Sequence, residues 1–508
     1  MTGRSTRLCA AAIVGTAALA LAGCTATENQ ASSAPESSSG ARPVKVALRP
    51  FYDQLIDWSS CGDFECGTAQ VPLDYADPDA GSIELVLKRA PPTGADPIGS
   101  LLINPGGPGA SGVDLVARAV TMFGKDVLAA YDVVGFDPRG VAGSNPVTCF
   151  DDAANDAFLS QDFDFATDAG IAEAKAAYAA RSAACAANTG PLLGHVDTAS
   201  SARDMDVLRA ALGDTKLTYL GYSYGTALGA TYAGLFPDKV GRMVLDGALD
   251  PTLSSADYGL GQAAGVEGAL RAYVTSCRTG ANCPLTGTVD DGLAQIENLL
   301  DGARRSPLPT ASARVLTSTL AYNGILATLY DDASWKFLTQ ALTEAIHGND
   351  GSVLLHLADS YNKRDKSGTY TTNSNEAFTA INCLDSVSSA DPAVMRAEAA
   401  ALEAVAPTVG YFFGYHGMIC ADWPYPPTGV AGVITANGAA PIVVIGTTND
   451  PATPYAWAEN LAKDLASGVL LTYDGDGHTA YGRSNECILN AVDTYLVTGT
   501  PPADGTHC

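Results

Sequence analysis

The feature that most constrains the fold of this chain is the apolar run Leu217-Thr218-Tyr219-Leu220. It passes without a linker into Gly221-Tyr222-Ser223-Tyr224-Gly225, and then into a helix-like stretch containing Thr226, Ala227, Gly229 and Ala230. A buried strand that turns straight into a helix brings backbone against backbone, so glycine is needed on both sides of the turn. Such a turn lifts its middle side chain clear of the chain. Ser223 is therefore predicted to project its hydroxyl at a helix N-terminus, where the peptide dipoles favour developing negative charge. Five residues alone prove nothing. The rest of the chain must supply a sheet, a base and an acid.

The sheet is legible. Residues 83–87 alternate, and 100–104, 131–136, 243–247, 441–446 and 468–473 are strand-length apolar runs. Helix-like stretches separate them in the first half, which implies a mostly parallel sheet with helices on both faces. Functional groups in such a sheet lie beyond the strands' C-terminal ends. Over 251–430 helical patterns such as 292–304 and 334–347 take over. The expectation is an α/β-hydrolase fold: a mostly parallel central sheet built from residues 44–250 and 431–508, with a large, mainly helical cap over 251–430.

The start of the chain carries other signals. Arg4 and Arg7 precede an apolar run, 8–22, that ends in Leu21-Ala22-Gly23-Cys24. This has the form of a secretory signal over 1–23 rather than a membrane span. Cys24 resembles the cysteine that is lipidated in bacterial lipoproteins. Residues 24–43, rich in Ser, Ala and Glu, read as a flexible tether. No later stretch has the ~18 apolar residues a span needs. The expected protein is exported and anchored at the cell membrane by lipid alone, or held in the wall or outside the cell, as a monomer. The 55 acidic residues against 29 basic give a net charge of −26, which argues against nucleic-acid partners.

Of twelve cysteines, Cys9 lies in the expected signal and Cys24 is the lipid candidate. An even remainder outside the cytoplasm suggests five disulfides. Sequence does not fix their connectivity. Pairing neighbours gives Cys61–Cys66, Cys149–Cys185, Cys277–Cys283, Cys383–Cys420 and Cys487–Cys508. The spacings match no zinc pattern, and neither a metal nor another cofactor is expected.

A serine nucleophile needs a base and an orienting acid, in the chain order Ser, Asp, His for this fold. Six histidines leave little choice. His195 precedes the serine, His347 and His356 lie on cap helices, His416 is in a Cys-flanked aromatic loop, and His507 is at the C-terminus. His478 alone follows a late strand. For the acid, Asp450 follows the 441–446 strand. Asp246, after an earlier strand, remains an alternative, while Asp474 and Asp476 share the histidine's own loop. The tetrahedral intermediate needs two N–H donors: Tyr224, after the serine, and Gly107, within Asn104-Pro105-Gly106-Gly107-Pro108-Gly109.

These motifs, with Gly135-Phe136-Asp137-Pro138-Arg139-Gly140 and the Asp450 and His478 loops, resemble the proline-iminopeptidase-related peptidases. More narrowly they resemble the secreted tripeptidyl aminopeptidases of actinobacteria and their lipoprotein relatives, from about residue 45 to 508. The resemblance implies a serine exopeptidase that releases short N-terminal peptides from peptide or protein substrates through an acyl-enzyme. It also implies a threonine near the site, matched by Thr453, and includes the segment Ala380-Ile381-Asn382-Cys383-Leu384-Asp385. Asn-Pro stands where the proline-iminopeptidase form begins His-Gly-Gly. Binding a substrate ammonium calls for acids on the cap side, for which Asp385 and Glu376 are candidates. A carboxylesterase with the same triad is the runner-up, and a non-catalytic binding lipoprotein the third reading.

Overall fold

The structure, a computed structural model, describes residues 46–429 and 431–508; the expected signal, Cys24 and the 24–43 tether lie outside them. Among the described residues ten strands form one sheet: β1 (Ser59–Cys61), β2 (Phe64–Pro72), β3 (Ser82–Ala90), β4 (Gly99–Asn104), β5 (Tyr131–Phe136), β6 (Leu217–Tyr222), β7 (Val240–Asp246), β8 (Ile442–Asn449), β9 (Gly468–Asp476) and β10 (Thr506–His507). Their order is β1-β2-β3-β5-β4-β6-β7-β8-β9-β10. From β5 across to β10 every pairing is parallel, and β1 to β3 join antiparallel.

The central strands are apolar throughout because both faces are covered. Leu101, Leu102 and Ile103 in β4 and Ile442 to Ile445 in β8 are fully buried. This arrangement places the site. β6 lies between β4 and β7 in parallel register, so the loop after β4 and the turn after β6 emerge side by side. Strands β8 and β9 deliver the Asp450 and His478 loops further along the same edge.

The antiparallel edge was not expected, and β2 shows why. Its inward positions, Gly67, Ala69 and Val71, alternate with exposed Thr68 and Gln70. The period is two, but the buried residues are too small to give a strong apolar signal.

Seven α-helices, Ser255–Thr279, Val289–Arg305, Ser318–Leu329, Trp335–Gly348, Ser352–Tyr361, Ser374–Asp385 and Pro392–Val405, lie between β7 and β8. Several have a core of their own, in which Leu270, Ile296, Ile325, Leu338 and Leu354 pack together. The expected boundary needs one correction. Helices Asp152–Leu159 and Asp168–Thr189 and the chain between them, inside the stretch assigned to the sheet domain, also pack on the cap. Asp162 accepts hydrogen bonds from Ser318 N and Thr319 N, both at 2.8 Å, and Ile171 joins Met395 and Met418 in a small apolar cluster. A helical pattern does not say which layer the helix will cover.

Two buried arrangements fasten the scaffold. Arg139, wholly buried, forks onto Asp204 at 2.7 and 2.6 Å and also donates to the carbonyls of Pro72, Leu73 and His195. All five neighbouring cysteine pairs are bonded.

Candidate active site

The turn after β6 has the backbone its glycines foreshadow. Ser223 sits at φ 55°, ψ −125°, a region that L-residues rarely adopt. Holding a serine there stores on the order of 1–3 kcal/mol, which the surrounding packing must offset. The restraints are visible. Ser223 N donates to Asp246 O at 2.8 Å. A Cβ on Gly221 would lie 2.3 Å from Gly225 O, and one on Gly106 would lie 2.4 Å from Tyr222 O. Nothing larger than glycine fits at either position.

His478 arrives on the loop after β9. Its Nδ1 stands 2.8 and 2.9 Å from the two oxygens of Asp450, so the carboxylate keeps the proton on Nδ1 and leaves Nε2 as the basic lone pair. Nε2 is buried and has no protein partner. Unliganded hydrolases commonly form the serine–histidine bond only when substrate arrives. Asp450 also accepts from the backbone N–H groups of Ala452, Thr453 and Thr479, at 2.9, 2.9 and 3.1 Å. Burial alone would raise its pKa, but the facing imidazole and these donors outweigh burial and hold the carboxyl below its ordinary value.

Asp246, the rival acid, has a different place. Its carboxylate accepts from Ala480 N at 3.0 Å and Tyr481 N at 2.7 Å. It thus secures the backbone just beyond the base, and burial pushes it up to about 6. Asp474 pairs with His507 instead. Thr453 Oγ1 lies 3.4 Å from His478 Nδ1. Tyr224 opens the Tyr224–Leu235 helix, whose first N–H groups lack intrahelical acceptors.

Gly107, Ser223, Tyr224, Thr453 and His478 line one cleft of about 700 Å³, together with the cap aromatics Tyr258, Tyr322 and Tyr330. The cap also holds the base: Tyr330 O accepts from His478 N at 2.9 Å, and its ring stands edge-on to the imidazole at 5.1 Å. A hydroxyl, a basic nitrogen and a helix N-terminus around one cavity can carry out acyl transfer.

Two expectations need correcting. Glu376 and Asp385 are not part of the cleft wall. The Glu376 carboxylate accepts from Cys149 N and Phe150 N at 3.1 and 3.0 Å; that of Asp385 grips Thr198. Each side chain is turned to buried backbone donors that would otherwise go unmet. Among the described residues lining the cleft, Asp114 is the only carboxylate, and Arg118 and Lys363 are the cations beside it. Sequence reasoning passed over Asp114, although it stands in the first turn of the Gly112–Met122 helix directly after the glycine loop. It also gave no role to Asn104, whose buried side-chain oxygen accepts from Gly106 N at 2.9 Å and shapes that loop.

Comparison with known proteins agrees with the geometry. A family model described as TAP-like protein matches residues 406–508. Serine protease Hip1 of Mycobacterium tuberculosis is 39% identical over 482 residues, 90% of this chain and 92% of that protein. Carboxylesterase B of the same species is 38% identical over 89% of each chain. Tripeptidyl aminopeptidase of Streptomyces lividans is 31% identical over 92% of this chain and 89% of its own.

Proposed function

We propose, from the premise that this chain belongs to the α/β-hydrolase family of serine protease Hip1 and the tripeptidyl aminopeptidases, that it is an exported exopeptidase releasing short N-terminal peptides. The observation that carries the hydrolase chemistry is the basic Nε2 of His478, held in the cleft of Ser223 by Asp450, and the likeness to a tripeptidyl aminopeptidase supports release of short N-terminal peptides. In the proposed cycle Ser223 Oγ attacks the scissile carbonyl as His478 Nε2 takes its proton. The N–H groups of Tyr224 and Gly107 receive the oxyanion. His478 then protonates the leaving amine, and the peptide remains as an ester on Ser223. Water, deprotonated by the same nitrogen, attacks that ester and frees the acid. Asp450 stabilises the imidazolium in both halves.

Asp114 is the group assigned to the substrate's ammonium, and Arg118 and Lys363 to its anionic groups. Export and a lipid on Cys24 are supported by the signal-like first residues and by the five disulfides. An esterase is the second reading, favoured by the 38% identity to carboxylesterase B. Peptide-library digestion read by mass spectrometry, with Ser223→Ala as control, separates the two. The expected result is loss of short peptides from free N-termini only. Equal turnover of amino-blocked peptides, or ester cleavage without peptide cleavage, overturns the aminopeptidase assignment.

A further inference from the structure

We infer that Asp385 is a positioning residue: acting through Thr198, it fixes Tyr224 so that the Tyr224 N–H points at the oxyanion. This rests on reading that N–H as an oxyanion donor.

The chain of contacts is continuous and buried. Asp385 ends the Ser374–Asp385 helix of the cap. Its Oδ1 accepts from Thr198 N at 2.8 Å and its Oδ2 from Thr198 Oγ1 at 2.5 Å. Thr198 Oγ1 also forms a hydrogen bond with the Tyr224 hydroxyl. A threonine hydroxyl has one proton. That proton goes to the carboxylate, so Thr198 accepts from Tyr224. The relay therefore has one direction, from the Tyr224 O–H to Thr198 to Asp385, and each bond is polarised by the next.

The middle of the relay and its Asp385 end are both anchored. Thr198 is the first residue of the Thr198–Ala211 helix, whose cap Asp197 accepts from Ser200 N and Oγ at 2.9 and 2.7 Å. Cys383, two residues before Asp385, is bonded to Cys420. Leu384 O accepts from Thr428 N and Gly429 N at 2.7 and 2.9 Å. On the opposite side of Tyr224, the Gly106 backbone packs against Tyr222 and Ser223 so closely that a Cβ there would stand 3.0 Å from Tyr224 N. The residue is thus restrained at its backbone by the glycine loop and at its hydroxyl by Thr198. Burial and the Asp197 charge raise the Asp385 carboxyl, while the Thr198 donors oppose this. The balance raises it to about 7, so the relay runs in the direction given once the carboxylate is ionised, above about pH 7. The relay also makes the cap a working part of the core, since its first member belongs to one and its last to the other.

The test uses the full-length enzyme and a simple p-nitrophenyl ester, so that it does not depend on peptide specificity. Thr198→Val, Asp385→Asn and Tyr224→Phe are each compared for kcat, KM and affinity for a boronic acid that forms a tetrahedral adduct on Ser223. Losing an oxyanion donor outright lowers kcat by about 10²–10³, so a misaimed one should lower it by about 10-fold or more, with KM within about two-fold. Boronate affinity should fall in proportion to kcat. The double variant Thr198→Val/Asp385→Asn should be no worse than either single, because one broken link opens the relay, and Asp385→Glu should recover part of the loss. Unchanged kcat in Tyr224→Phe, which keeps the ring and its packing, overturns the inference. So does a fall in kcat without loss of boronate affinity, or additive losses in the double variant. A parent enzyme that turns over the ester but not peptides would count against the exopeptidase reading and leave this test intact.

Discussion

At Asp450 and Asp246, two buried carboxylates in one site are tuned in opposite directions. The first faces an imidazole and three N–H donors, and its carboxyl lies below the ordinary range. Its contribution to stability is fully present above the unfolded value, about pH 4, and is lost only as pH falls through its own lower pKa. Asp246 has two backbone amides as donors and deep burial, which pushes it up to about 6. Its contribution is complete below about pH 4 and is lost as pH rises through about 6, a swing on the order of 3 kcal/mol. Thermal melts at pH 4 and 8 check both signs. Relative to Asp246→Asn, the parent protein should be more favoured at pH 4 than at pH 8. Relative to Asp450→Asn, the gap should be flat over that interval and shrink only below about pH 4. Catalysis separates the pair as well: Asp450→Asn should lower kcat by roughly 10⁴, as loss of the orienting acid does in serine hydrolases generally. Asp114→Asn should raise KM for peptides with free N-termini and leave amino-blocked esters unaffected.

Between elements, the decisive joint is the one that seats the loop after β5. Arg139 supplies donors to Asp204 and to three carbonyls on separate segments, β2 and its following loop and the His195 turn. Removing one partner of a buried, fully bonded pair leaves the other charge stranded, at about 3–5 kcal/mol. Arg139→Ala should lower the unfolding temperature sharply, and Arg139→Lys should restore little, because an ammonium cannot make the bidentate fork. Chemical denaturation of the three proteins checks this. The same joint shows what sequence reading reaches. The segment from Asp137 to Gly140 stood out as a loop ending a strand, but the partner that buries Arg139 lies 65 residues away, a distance that no local pattern spans.

Over the whole molecule, what was legible in the sequence was what chain order and local chemistry dictate. The turn at Ser223, the histidine after β9 and the acid after β8 each followed from strand placement, and the structure draws His478 and Asp450 together. The parallel strands were legible because strand-length runs of Leu, Ile and Val bounded by turn residues suit a sheet covered on both faces. Asp385 and Glu376 misled for the converse reason: an acid on a cap helix looks the same in sequence whether it faces a cleft or a buried amide. The 152–189 helices fell inside the stretch assigned to the sheet domain, since position along the chain does not name the layer a helix will cover. The −26 net charge bears on solubility and excluded partners, and left the position of every site residue to packing.

The central claim, that Ser223 is the nucleophile primed by His478, is tested most directly by labelling the intact protein with a fluorophosphonate and mapping the adduct by mass spectrometry. One adduct is expected, on Ser223, absent from Ser223→Ala and formed far more slowly in His478→Ala. An adduct on another residue, or undiminished labelling without His478, would contradict it.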